Sequence, residues 1–251
     1  MPLPPIDLCE DIANPAGWDA ILSAESKTNP RVAESVGMLD LVPKNRRIAG
    51  EGASWVMAPF VHSSTDRPSR FTDGSYGVYY AGDRMEVELF ETVYHHQKFM
   101  TATNENSGWT SDFRELVGSV DTDLHDVTDI NDFGELFDAE VYAKSQVLAK
   151  ELRDQSSNGL LYLSVPYPEG MAIALFWPDV AGIPTQGQHF SYFWDGTQVS
   201  NKPHRRACHR FADSLSVIGV GLAAFVRCQN GAFGHRGRRN RSKDSPAWLT
   251  H

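Results

Sequence analysis

The chain has 251 residues, 41% of them hydrophobic, which is enough for one sizeable core, and a formal charge of −9. That charge is uneven: residues 227–251 hold six Arg or Lys against one acid, Asp244, so residues 1–226 carry about −14. A body this acidic excludes a direct nucleic-acid binder of the usual basic kind, and the expectation is one domain with insertions. Cys9, Cys208 and Cys228 form no close pair and no C-x-x-C, which points to a reducing compartment without a zinc site or disulfide framework. The start MPLPPIDLCED lacks a basic region followed by an apolar core, and the longest apolar run, Val217 to Val226, is too short to span a bilayer. A soluble, cytoplasmic protein is expected.

Residues 1–43 read as a helical extension that packs onto the core or a partner. Asn29 can cap a helix with Pro30 at its first position, Val32, Val36 and Leu39 form an apolar face, and Pro43 stops it. Lys44 to Ala49 turns from basic to apolar, as a strand entry does. Residues 50–69, with Pro59, Pro68 and several serines, read as a loop able to close over a ligand, with Trp55-Val56-Met57 unusually apolar for one.

The central stretch is Arg70 to His96. An aromatic run, Val78 to Ala81, predicts a strand. A Gly82-Asp83 break follows, and Met85, Leu89 and Val93 then recur at helical spacing, with Asp83 and Glu86 placed for a capping box. Glu91 lies about 200° around that helix from Leu89, off the apolar stripe. Arg70 before the strand, Tyr80 near its end and Glu91 in the helix bring a cation, an aromatic ring and a carboxylate within reach of one another.

Phe113 to Val120 predicts a strand. Asp112 to Glu140 then holds ten acids and one base, Arg114, a solvated acidic face with no D-x-D-x-D-G spacing for a metal. Glu140 to Gln155 predicts a helix with Val141, Leu148 and Leu152 on one face. Leu160 to Val165 and Met171 to Trp177 predict strands joined by the turn Pro166 to Gly170, which sets Ser164 at a strand end. Asp195-Gly196 after Tyr192-Phe193-Trp194 predicts a hairpin, and residues 231–251 a solvated basic tail.

The phosphate-binding loop, the dinucleotide fingerprint, the nucleophile elbow and H-E-x-x-H are all missing. His95 and His96 are neighbours and cannot face one ligand from a helix. The remaining candidates are Arg47, Arg70, Tyr80, Glu91 and Ser164, with Ser145, His95 and Tyr142 behind them. Taken singly, Tyr80 reads as a sheet aromatic, Glu91 as a solvated helix carboxylate, Ser164 as a strand-end hydroxyl and Arg47 as a surface charge.

Their order resembles the RES domain family over about residues 44–200, through Arg47-Ile48-Ala49-Gly50, Ser69-Arg70-Phe71, Tyr80-Ala81-Gly82-Asp83, Glu88-Leu89-Phe90-Glu91 and Gly159-Leu160-Leu161-Tyr162-Leu163-Ser164. Ser69 stands where the family has glycine and Leu163 where it has proline. About 70 residues separate Glu91 from Ser164, so the acidic stretch reads as an insertion.

The resemblance implies an α+β fold like that of ADP-ribosyltransferases, a split, mainly antiparallel sheet with flanking helices, in a domain spanning 44–230 between the 1–43 extension and the 231–251 tail. It also implies a toxin that degrades NAD at the nicotinamide–ribose bond, as a glycohydrolase or as a phosphorylase with inorganic phosphate as co-substrate, causes growth arrest, and is held by an Xre-type helix-turn-helix antitoxin. No cofactor or metal is implied, and nucleic acid would be met only through the antitoxin. A homodimer or hetero-oligomer is plausible. Under that reading Arg47 and Arg70 hold the pyrophosphate, for which a guanidinium fork is suited. Tyr80 packs on nicotinamide or ribose, Ser164 orients the ribose, and Glu91 stabilises the oxocarbenium-like transition state. The catalytic set is then Glu91, Arg47 and Ser164, and the NAD-binding set Arg47, Arg70, Tyr80 and Ser164. Alternatives are ADP-ribosyl transfer to a macromolecule and a non-catalytic binding module.

Overall fold

The computed structural model describes residues 14–25, 27, 36–203 and 225–228. The Asn29-Pro30 helix start, Cys9, Cys208 and the basic segment from Gly231 onward lie outside the described residues. The predicted strands form as β1 (Tyr79–Gly82), β2 (Thr110–Gly118), β4 (Gly159–Leu163), β5 (Met171–Leu175), β6 (Thr185–Trp194) and β7 (Val199–Pro203). A two-residue β3 (His125–Asp126) and β8 (Phe225–Cys228) complete one sheet ordered β3-β4-β5-β1-β8-β2-β6-β7. The pairs β1/β5, β4/β5, β2/β6 and β6/β7 are antiparallel, while β3/β4, β1/β8 and β2/β8 are parallel. Helices α1 (Trp18–Glu25), α2 (Ala53–Val61), α3 (Met85–Thr101), α4 (Ile130–Phe133) and α5 (Ala143–Asp154) accompany it, so the fold is α+β as expected.

Alternation along the strands divides the core into faces. Tyr79 and Ala81 of β1, with Ile173 and Leu175 of β5, pack with Val56, Met57 and Phe60 of α2 and with Trp18, Leu39 and Val42 of the N-terminal segment. Tyr80, with Leu160, Tyr162, Ala172 and Ala174, faces the opposite layer, which includes Phe71, Val87 and Ala149. The predicted stripe of Met85, Leu89 and Val93 lies against a third cluster built from Phe190, Tyr192 and Trp194 of β6. Thus α3 packs on two clusters at once, and Glu91 follows from that placement.

Four local expectations are corrected. Lys44–Arg46 is a 3-10 turn rather than a strand entry, followed by extended Arg47. Residues 53–61 form α2, not a loop: Gly52 at φ 82° starts it, and the burial of Ala53, Val56, Met57, Phe60 and Val61 holds it despite Pro59. A segment whose apolar face is built into the core is no lid. The capping box is absent, because the Asp83 carboxylate takes the Arg84 guanidinium and the Met171 N–H, and the helix begins one residue later with Arg84 extended. Val141 is 61% exposed and precedes α5, since Asp138 Oδ1 accepts from the Glu140 and Val141 N–H groups and holds that turn open.

Candidate active site

Strands β1 and β4 flank β5, both antiparallel to it, so their C-terminal ends reach the same edge, with Gly82 and Tyr162 in one row through Ala172. From that edge the chain leaves β1 into α3 and leaves β4 into the 164–170 turn. The turn is closed by Ser164 N–H to Gly170 O at 3.0 Å and Gly170 N–H to Tyr167 O at 2.9 Å. It lies so close to α3 that a Cβ on Gly170 would sit 2.1 Å from Val87 Cγ2. Here two elements distant in sequence meet: buried Ser164 donates from Oγ to Glu91 Oε1 at 2.8 Å, and Tyr167 N–H donates to Ser164 Oγ at 3.2 Å. The other Glu91 oxygen, Oε2, faces His95 Nε2 at 3.5 Å. Gly170→Ala is expected to part the turn from α3, lowering thermal stability by about 1–3 kcal/mol through overpacking. Activity should fall further than the folded fraction does. A melting curve beside a turnover assay checks both.

Tyr80 and Arg70 form the adjoining wall. The Tyr80 hydroxyl shares a hydrogen bond with Ser69 Oγ at 2.7 Å and accepts one from Phe71 N–H at 3.1 Å. Ser69 therefore anchors the tyrosine. Gln146 of α5 donates to Ser69 O and Thr72 O, which clamps the same loop from the other side. Arg70 Nη1 donates to Leu136 O and Asp138 O, and its guanidinium lies 4.7 Å over the Tyr142 ring. Ser145 Oγ also donates to Leu136 O. The acidic 121–140 segment thus folds back as a strap whose backbone carbonyls seat Arg70. Among the described residues Arg70's hydrogen bonds all leave from Nη1.

Two residues that lie within the motif segments but outside the candidate set complete the surroundings. Glu88, buried one turn before Glu91, has its carboxyl pushed well above the ordinary range, first by burial and then by the Glu91 charge. Tyr162, buried two residues before Ser164, is pushed well above the usual phenol range by burial and by the charges of Glu91, Tyr80 and Glu88. Burial also raises Tyr80, to about 12. Burial thus holds Glu88, Tyr162 and Tyr80 toward their neutral forms. A signal was available in the i, i+3 spacing of Glu88 and Glu91, which shares a helix face.

Because Glu88 is raised in the folded state, its stabilising contribution is full below the ordinary carboxyl pKa and is lost as pH climbs from there through the folded value. Glu88→Gln, a copy of the protonated form, is expected to raise the melting temperature by on the order of 3 °C at pH 8 and to leave it unchanged at pH 4. Thermal denaturation at the two pH values checks this.

Arg47 does not join the others. Its Nε donates to Val42 O at 3.0 Å, Nη2 to Leu39 O at 3.0 Å and Nη1 to Asp19 Oδ1 at 2.8 Å, with the side chain 2% exposed. Leu39 and Val42 belong to the cluster on the Tyr79 face of the sheet, opposite Tyr80. The guanidinium pins the N-terminal segment to the core, and each of its three nitrogens donates within the scaffold. No group of three His, Cys, Asp or Glu side chains able to hold a metal occurs among the described residues, and no described helix is long and apolar enough to cross a membrane.

The family model for the RES domain matches residues 45–195, spanning α2, the Arg70 loop, Tyr80, Glu91 and Ser164. An uncharacterized protein, y4oC, of Sinorhizobium fredii is 27% identical over 202 residues, covering 78% of this chain and 81% of that relative.

Proposed function

Because this chain belongs to the RES domain family, whose members are associated with toxin–antitoxin pairs, we propose that it is a toxin enzyme that consumes NAD by cleaving the nicotinamide–ribose bond. The observation that carries the reading is the 2.8 Å hydrogen bond between Ser164 Oγ and Glu91 Oε1 beside Tyr80 and Arg70. In the cleavage the C1′–N bond breaks heterolytically and both electrons leave with the ring nitrogen, which passes from cation to neutral amide-bearing pyridine. That leaving group needs no proton, so one carboxylate suffices where ordinary glycosidases use two. Positive charge gathers on C1′ and the ring oxygen, and the Glu91 carboxylate stabilises it in a site of low dielectric. Ser164 fixes which oxygen faces the sugar. Nε and Nη2 of Arg70 take the pyrophosphate, and Tyr80 lines the ribose. Arg47 acts through the scaffold.

Water or phosphate then adds to C1′, giving ADP-ribose and a proton or its 1-phosphate. A core of the ADP-ribosyltransferase kind, a cytoplasmic setting and an Xre-type antitoxin covering the cleft fit the same reading. Purified protein with NAD is expected to release nicotinamide stoichiometrically. Phosphate dependence of the rate would mark phosphorolysis, and label transferred from NAD to protein would replace cleavage by ADP-ribosyl transfer. Intact NAD after prolonged incubation with folded protein defeats the proposal.

A further inference from the structure

Two aromatic rings, Phe90 and Tyr167, stack at the rim of the cluster. Phe90, next to Glu91 on α3, is 47% exposed, and its ring lies nearly parallel to that of Tyr167, with centroids 5.1 Å apart and planes at 20°. Tyr167 is the anchored member. Its N–H donates to Ser164 Oγ, its carbonyl accepts from Gly170, and its ring packs on the same buried cluster as Tyr80. A phenyl ring left half in water forgoes the free energy of burial, and here it is held flat on Tyr167, whose backbone N–H reaches the Ser164 hydroxyl bonded to Glu91.

Aromatic faces carry negative potential and attract cations set over them. In NAD+ the ring joined to the ribose carbon is a planar pyridinium cation, whereas in NADH it is neutral. A ribose held by Glu91 places that ring one bond from C1′. Adenine is separated from the same carbon by two sugars and a pyrophosphate. Resting on the reading of the site as NAD-cleaving, we infer that Phe90, supported by Tyr167, is the stacking platform for the cationic nicotinamide ring and gives the site a preference for NAD+ over NADH. The charge is lost when the bond breaks, so the same face holds substrate more strongly than the released nicotinamide and favours product departure.

Binding to Glu91→Gln protein, in which turnover is suppressed, tests this by calorimetry with NAD+, NADH and AMP. NAD+ is expected to bind more tightly than NADH. Adding Phe90→Leu should weaken NAD+ about five- to tenfold while leaving NADH and AMP within about twofold, and Phe90→Tyr should restore the NAD+ affinity. An unchanged melting temperature separates the effect from folding, which the exposure of Phe90 favours. Equal NAD+ affinity with and without Phe90, or a matching loss for AMP, overturns the platform alone. A Glu91→Gln protein that binds neither dinucleotide, together with wild-type protein that leaves NAD intact, overturns the reading of the whole site.

Discussion

Glu91→Gln is expected to lower the rate of nicotinamide release by about 10²–10³-fold, the usual loss when one preorganised electrostatic group at a developing charge is removed. Glutamine keeps the size of the side chain and can still accept from Ser164 Oγ, which lies at 2.8 Å, so the fold should persist and KM should change little. A loss confined to kcat is the signature of an interaction made in the transition state. Ser164→Ala should act in the same direction but more weakly, about tenfold, because it frees the carboxylate to turn without removing its charge. A Glu91→Gln protein as active as the wild type would sink the assignment of the carboxylate, and with it the mechanism.

Arg47→Ala is expected to cost about 3 kcal/mol of stability while sparing the chemistry. Its three hydrogen bonds go to two backbone carbonyls and Asp19, and their removal leaves acceptors unpaired against a buried layer. For a chain of this size the melting temperature should fall by roughly 6–12 °C. Lysine cannot span the three acceptors and should rescue only in part. Asp19, held below the usual carboxylate range first by Lys44 and then by Arg47, should move back toward it, which NMR titration would read. Below the melting transition KM for NAD should stay within about twofold of wild type. A KM raised tenfold or more at unchanged stability would return Arg47 to the role of phosphate anchor.

The contrast between Arg47 and Arg70 shows where sequence reasoning stops. Both were placed at a pyrophosphate by motif, and both are bonded to backbone carbonyls. Arg70 donates from Nη1 to the strap, while Arg47 donates from all three of its nitrogens to the N-terminal segment. No local pattern separates the two, because the decisive partners, Asp19 for one and Leu136 for the other, are 28 and 66 residues away. The 53–61 helix was hidden for a similar reason. Pro59 and the surrounding serines read as a loop, and only the depth of the layer against β1 and β5 makes the Trp55-Val56-Met57 run helical and buried. Asp83 and Glu86 satisfied the spacing of a capping box, but Arg84 and the Met171 N–H competed for the same carboxylate.

The sequence by itself determined β1, β2, β4, β5 and the β6–β7 hairpin, α3 and α5, the strand-end position of Ser164 and the order of the candidate residues. Each of these depends on periodicity and turn chemistry within a few residues of the chain. Only the tertiary structure decided that β1 and β4 would end at one edge, that Gly170 would let the turn lie on α3, and that Ser164 and Glu91 would therefore touch. It also decided that Glu88 and Tyr162 share their buried surroundings, and that Phe90 and Tyr167 stack at the rim. The physical reason is that a hydrogen bond, a desolvated charge or a stacked ring depends on what packs beside it, and strand order and helix docking set those neighbours at separations where the local sequence carries no signal.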